Sequence, residues 1–233
     1  MPLLMNRKLK GFLAHKYYFV RAPRLTRIFE KFKSYTMIPL GIYVRNLEVV
    51  KKFGHLEGCV VECGTWRGGM IGGMATLLGP HREYFLFDSF EGLPDAEEID
   101  GDDAKGWQER TDSSAYFDNC RAEMKYAQEA MQLARAKRVH IVKGWFNETL
   151  PQFDKSKKIA ILRLDGDWYA STMTCLENLY DCVVEGGVII LDDYYMWTGC
   201  SKAVHDFLSR NSLNSRVWQW DNNVCYIIKR TTS

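Results

Sequence analysis

From Glu57 onward, short apolar runs alternate with stretches of helical periodicity, the signature of βαβ units and a mostly parallel sheet. Five runs read as strands: Cys59–Cys63, Tyr84–Asp88, Val139–Lys143, Ile159–Asp165 and Val188–Asp192. Each is largely apolar at both alternating sets of positions, as a strand buried on two faces should be. Helices are predicted between them at Met70–Leu78, Ser114–Ala136, Thr172–Val184 and Lys202–Ser209. The second is long because Met124, Ala127, Met131 and Ala134 recur at helical spacing. The tail changes pattern: Arg216–Trp220 and Val224–Lys229 are strand-like and joined by Asp221-Asn222-Asn223, the chemistry of a tight hairpin. The expected fold is therefore α/β, a Rossmann-like parallel sheet closed by an antiparallel C-terminal hairpin. Residues 95–112 are acidic and too long for an ordinary βα connection, which suggests a lid or a mobile loop.

Charge divides the chain. Residues 1–52 hold 12 Lys and Arg against 2 Asp and Glu, leaving 19 against 27 for the rest. We divide it accordingly into a basic, helical N-terminal extension, residues 1–45, and an α/β domain, residues 46–233. A solvated helical face is the plainer use of the basic segment, and no nucleic-acid partner is expected; peripheral contact with anionic lipid and homo-oligomerisation are secondary options. Charges interrupt Gly11-Phe12-Leu13-Ala14 too often for a signal peptide or a membrane span. The seven cysteines are odd in number and lack a Cys-x-x-Cys pair, which suits reduced thiols and a cytoplasmic protein.

The first βα turn carries candidate chemistry. In Glu62-Cys63-Gly64-Thr65-Trp66-Arg67-Gly68-Gly69 an acid ends a buried strand, and a glycine-spaced turn then opens a helix. Glycines let the backbone approach a ligand, and free N–H groups at a helix start receive polar atoms. The second strand ends in Phe87-Asp88-Ser89, its acid placed to accept hydrogen bonds from both hydroxyls of a ribose. The spacing is not G-x-G-x-x-G, and a cationic cofactor flanked by acids, such as S-adenosylmethionine, fits better than NAD. After the third strand, Gly144-Trp145-Phe146 can cover an adenine face, although core packing is the commoner use of such a pair.

The fourth and fifth strands end Leu164-Asp165-Gly166-Asp167 and Leu191-Asp192-Asp193-Tyr194. Neighbouring parallel strand ends share an edge, and carboxylates gathered there repel unless they serve a cation. Oxygen ligands without His or Cys select a hard ion, most simply Mg²⁺. Helix capping or plain solvation explains any one of these acids, and explains four less well.

The motifs already quoted, with Phe87–Pro94, Thr149-Leu150-Pro151, Asp165–Tyr169 with Ser171-Thr172, and Gly186-Gly187, resemble in order those of the macrocin O-methyltransferase family, over roughly residues 35 to 210. The resemblance implies S-adenosylmethionine as methyl donor and Mg²⁺ as activator. It implies Asp165, Asp192 and Asp193 as metal ligands and Asp88 as the ribose acceptor. Glu62, Gly64, Thr65, Trp66, Gly68 and Gly69 would cradle the cofactor, with Ser89, Gly144, Trp145, Phe146 and Asp165 beside it. The acceptor would be a hydroxyl on a sugar of a natural product or glycan. Asp165 and Asp167 are the candidate bases; the lysine that catechol-type enzymes carry three residues after the strand-end acid is replaced by Trp168. His205 sits on an amphipathic stretch and receives no role. Two other readings compete: a metal-dependent sugar-nucleotide glycosyltransferase, because Asp165-Gly166-Asp167 is also a D-x-D motif, and a non-catalytic S-adenosylmethionine or sugar-binding protein.

Overall fold

In a computed structural model, residues 16–220 and 224–230 are described. Seven strands form one sheet in the order β3-β2-β1-β4-β5-β7-β6. They are β1 (Cys59–Cys63), β2 (Glu83–Asp88), β3 (Arg138–Lys143), β4 (Ile159–Leu164), β5 (Val183–Leu191), β6 (Val217–Trp220) and β7 (Val224–Ile228). The first five run parallel, and β7 runs antiparallel to both β5 and β6. The hairpin turn expected at 221–223 lies outside the described residues.

Helices cover both faces. On one lie α1 (Pro23–Phe32), α2 (Leu40–Phe53), α3 (Gly69–Leu78) and α5 (Met124–Leu133), packed around Phe32, Tyr43, Leu47, Ile71 and Met74. On the other, α6 (Phe146–Thr149), α7 (Tyr169–Leu179) and α8 (Thr198–Arg210) enclose Leu150, Phe153, Leu176, Leu179 and Phe207. The N-terminal helices belong to the first layer: Phe32 is fully buried, and α2 runs continuously through residue 45. Tyr43 on α2 donates its hydroxyl to the Gly69 carbonyl at 2.8 Å, and Gly73 is glycine because a Cβ there would meet the Tyr43 hydroxyl. No helix among the described residues is long and apolar enough to cross a membrane. All seven cysteines are free, and six are buried.

Several elements differ from the sequence expectation. The long helix at 114–136 is only α5. Phe117, Asp118, Asn119 and Cys120 instead form a left-handed turn. Tertiary hydrogen bonds win there: Leu93 N–H donates to the Asn119 carbonyl at 3.0 Å, and Asn119 Nδ2 donates to the Leu93 carbonyl at 2.8 Å. Asp and Asn tolerate that conformation better than other residues. Residues 183–184 belong to β5, which crosses Gly186 at φ +76° in a register shift, so the preceding helix stops at Leu179. α7 and α8 begin earlier than expected, at Tyr169 and Thr198. β3 is an edge strand with Arg138 and His140 exposed, not a strand buried on two faces. The acidic connection folds as a 3₁₀ turn (Glu98–Asp100) and α4 (Asp102–Glu109).

Candidate active site

The chain leaves β1 toward β2 and β3, then returns to place β4 on β1's other side. The sheet order therefore reverses between β1 and β4, where open α/β sheets open a crevice at the strands' carboxyl ends. A cavity of about 970 Å³ lies there. Loops around it are strained: Trp66, Phe90 and Asp167, following β1, β2 and β4, all have positive φ. Such outliers persist only where surrounding structure holds them, and they cluster at functional sites.

The glycine turn is built as a close approach. A Cβ on Gly64 would collide with the Asp165 carbonyl, so glycine lets the ends of β1 and β4 meet. Asp88 organises the same turn: its Oδ2 accepts the N–H groups of Thr65 and Trp66, each at 2.7 Å, and its Oδ1 accepts that of Phe90 at 2.6 Å. Each carboxylate oxygen has about two lone-pair sites, so Asp88 has room for one further donor at Oδ1. Burial pushes this carboxyl above the usual range despite the three backbone donors.

Gly64, Trp66, Asp88, Ser89, Gly144, Trp145, Phe146 and Asp165 all line the cavity. Glu62, Thr65, Gly68 and Gly69 stand behind its wall. Glu62 is buried and accepts the Thr65 hydroxyl at 2.9 Å, and burial raises its pKa to about 7. Gly68 packs on Ala127 and Gly69 on the backbone of Tyr35, the plain use of glycine in helix packing. Ser89 accepts the Glu91 N–H and donates to the Gly92 carbonyl, shaping the rim.

Asp165, Asp192 and Asp193 converge, each offering an oxygen within 4.8 Å of the others. Burial pushes the Asp165 and Asp193 carboxyls well upward, and neighbouring carboxylates add to it. Asp167 joins them, its Oδ1 accepting Trp197 Nε1–H at 2.7 Å and its pKa raised by burial to about 6. Oxygen donors at this spacing suit a hard divalent cation. Sequence reasoning missed Arg163, 1% exposed, which reaches Asp165 at 2.7 Å, Asp192 at 2.6 Å and Glu62 at 3.1 Å. Its signal was a charge inside the otherwise apolar run Ile159–Leu164.

The acidic connection forms the roof. Trp107 of α4 packs edgewise on Trp168 and Trp197, with ring centroids 6.2 and 6.1 Å away. Asp100 accepts the Tyr169 N–H at 2.7 Å, and Trp168 Nε1–H donates to the Pro94 carbonyl at 2.9 Å. Met37, Ile38 and Ile42 close the cavity from the N-terminal layer, and Phe117, Tyr195 and Met196 stand at its wall. His205 lies outside, its Nε2 2.9 Å from the Tyr194 hydroxyl.

The strand order, the glycine turn at the switch point and the strand-end acid after β2 define a class I S-adenosylmethionine-dependent methyltransferase fold. The chain belongs to the macrocin O-methyltransferase (TylF) family, whose sequence profile matches residues 40–229. It is 32% identical over 181 residues to an 8-demethyl-8-(2,3-dimethoxy-α-L-rhamnosyl)-tetracenomycin-C 4'-O-methyltransferase of Streptomyces olivaceus, covering 71% of this chain and 64% of that protein. It is 33% identical over 178 residues to a demethyldecarbamoylnovobiocin O-methyltransferase of Streptomyces niveus, covering 74% and 66%. The matched region thus spans just under two thirds of these two relatives. Among solved structures, the O-methyltransferase NovP superimposes with a TM-score of 0.68 at 27% identity, over 84% of this chain and 83% of that one. The calicheamicin methyltransferase CalS11 shares the fold, with a TM-score of 0.67 at 17% identity over 97% and 94%.

Proposed function

We propose that this protein transfers a methyl group from S-adenosylmethionine to a sugar hydroxyl of a natural product or glycan, with Mg²⁺ as activator. The observation that carries the proposal is the juxtaposition of the Asp165, Asp192 and Asp193 cluster with the Gly64–Trp66 turn in one cavity. Family membership and the printed activities of the relatives support the methyl transfer.

Gly64, Trp66, Asp88 and Ser89 would hold the donor on the β1–β2 side, with Trp145 and Phe146 beside it. Asp165, Asp192 and Asp193 would hold Mg²⁺ on the β4–β5 side. A bound divalent ion lowers the pKa of a coordinated hydroxyl and fixes its orientation. Asp167 takes the hydroxyl proton: Trp197 Nε1–H holds one of its oxygens, and a pKa of about 6 keeps it mostly ionised at neutral pH. Asp165, already engaged by Arg163, is less free for that task. The Trp107, Trp168 and Trp197 cluster excludes water over the reacting groups.

Calorimetry with S-adenosylhomocysteine and with UDP-sugars tests the donor, the expected result being binding of the first alone. Incubation with labelled S-adenosylmethionine and candidate glycosides, with and without EDTA, tests the rest. Tight binding of only a UDP-sugar would sink the methyl transfer, and full turnover in EDTA would remove the metal.

A further inference from the structure

Among the described residues, each acid of the metal cluster has one oxygen tethered by the protein and the other oxygen not so engaged. Asp165 Oδ2 is held by Arg163 Nη1 at 2.7 Å, and Asp192 Oδ1 lies 2.6 Å from Arg163 Nη2. Asp193 Oδ2 accepts the Asp167 N–H at 3.0 Å. Two of the three tethers come from one guanidinium. We propose that Arg163 is a positioning residue for the metal ligands, turning Asp165 and Asp192 so that their second oxygens face a common ion.

The strand geometry makes this role specific. Asp165 follows Arg163 by two positions, immediately past the end of β4, where the guanidinium reaches its carboxylate. In register, Arg163 sits opposite Glu62 on β1 and Ile190 on β5, two residues before Asp192. One side chain therefore ties together the ends of β1, β4 and β5. A planar fork with several donors can engage three carboxylates in fixed directions, which the single ammonium of lysine cannot. Glu62 holds the guanidinium from behind, at 3.1 Å, and is itself held by the Thr65 hydroxyl. Among the described residues Arg163 is the one cation paired with these acids. Its Nε, also buried, has no hydrogen-bond partner, and the Nη2–Asp192 approach is an ion pair without hydrogen-bond alignment.

Two effects of Arg163 on metal binding oppose each other. Its charge repels a divalent ion, whereas its tethers fix the ligands, and we assign the larger share to the tethers. The experiment is a titration of MgCl₂ by calorimetry into the full chain saturated with S-adenosylhomocysteine, for the wild type, Arg163→Lys, and the double variant Arg163→Met with Glu62→Gln. The double variant removes Arg163 together with Glu62, its fully buried partner, so that the acids left without a cation, Asp165 and Asp192, are the two that reach the cavity, at 27% and 18% exposure. In both variants Mg²⁺ affinity should fall about 10- to 100-fold, the usual cost of losing a partner behind a metal ligand. S-adenosylhomocysteine affinity should stay within about twofold, which also shows the cleft to be folded. Raising Mg²⁺ should restore kcat in Arg163→Lys. Unchanged or tighter Mg²⁺ binding in the variants would make Arg163 a mere counter-charge and overturn the proposal, as would a kcat that saturating Mg²⁺ does not restore. The inference rests on the metal reading above, and the wild-type titration separates the two. A wild type that binds no Mg²⁺ refutes both, whereas wild-type binding matched by the variants refutes only the role of Arg163.

Discussion

The same strands end in opposite electrostatic environments. At their amino-terminal ends a second hollow, of about 570 Å³, is lined by His81, Arg82, Arg138, Lys157 and Lys158 against Glu57 and Glu83. Glu83 there has Lys157 and His140 at 2.9 Å and Arg138 at 3.4 Å, so cations outnumber the acid, and those partners hold its carboxyl below the usual range. At the carboxyl ends Asp165, Asp167, Asp192, Asp193 and Glu62 gather around one guanidinium, which pairs with Glu62, Asp165 and Asp192 alone, and every shift resolved among the five is upward. A fold at rest pairs its charges, as it does at the amino-terminal edge. An excess of buried acid over cation is costly, and persists where the deficit is filled by something that binds.

That contrast predicts where substitution matters most. Asp165→Asn or Asp192→Asn should cost several kcal/mol of transition-state stabilisation, at least about 10³-fold in turnover, with S-adenosylhomocysteine affinity nearly intact. EDTA should reproduce the loss in the wild type. Retained turnover in both variants would end the idea that the carboxyl edge is the working one. Asp167→Asn should lose about 10²-fold or somewhat more, the usual worth of a positioned base, while binding Mg²⁺ as before. A loss of Mg²⁺ affinity instead would move Asp167 from base to ligand.

The edge was legible in the sequence because strand ends are. Once β4 and β5 are recognised as apolar runs, Asp165, Asp192 and Asp193 must share a rim, and Gly64 must sit in the turn beside them. What was not legible depends on contacts between distant segments. Arg163 reads as an ordinary charge until its in-register neighbour Glu62 is known. Which of Glu62, Thr65, Gly68 and Gly69 line the cavity could not be read from spacing, because a glycine turn has the same local pattern whether it faces a cofactor or a helix. The turn at Phe117–Cys120 defied helical periodicity because Asn119 finds the backbone of Leu93, 26 residues away. The Trp107 roof likewise depends on α4 reaching Trp168 and Trp197, just ahead of α7 and α8, which no spacing announces.

The two edges should also respond to pH with opposite sign. Glu62 has a pKa raised from 4.5 to about 7, chiefly by burial, so the folded state holds a proton that the unfolded state has lost. Its contribution is fully present below about pH 4.3 and is lost as pH rises through about 7. At 1.36 kcal/mol per pKa unit the swing is of order 3 kcal/mol. Denaturant titrations at several pH values should therefore show Glu62→Gln losing less stability than the wild type between about pH 4 and 7. Parallel curves would mean that Arg163 keeps Glu62 ionised throughout.

Glu83 supplies the small end of the comparison. Its lowered pKa places its stabilisation above the unfolded value, and that stabilisation is lost as pH falls through the folded one. Its partners Lys157, His140 and Arg138 are 33%, 47% and 58% exposed, so water and salt screen them. Such pairs are worth about 0.2–1 kcal/mol each, and Glu83→Gln should lower stability by about 1 kcal/mol at neutral pH and by less in high salt. Turnover and Mg²⁺ affinity should be unchanged, since the substitution sits at the far end of β2 from Asp88. A drop in turnover without a matching drop in stability would show that the amino-terminal edge is coupled to the carboxyl edge through the strands, and the division between a paired edge and a working edge would fail.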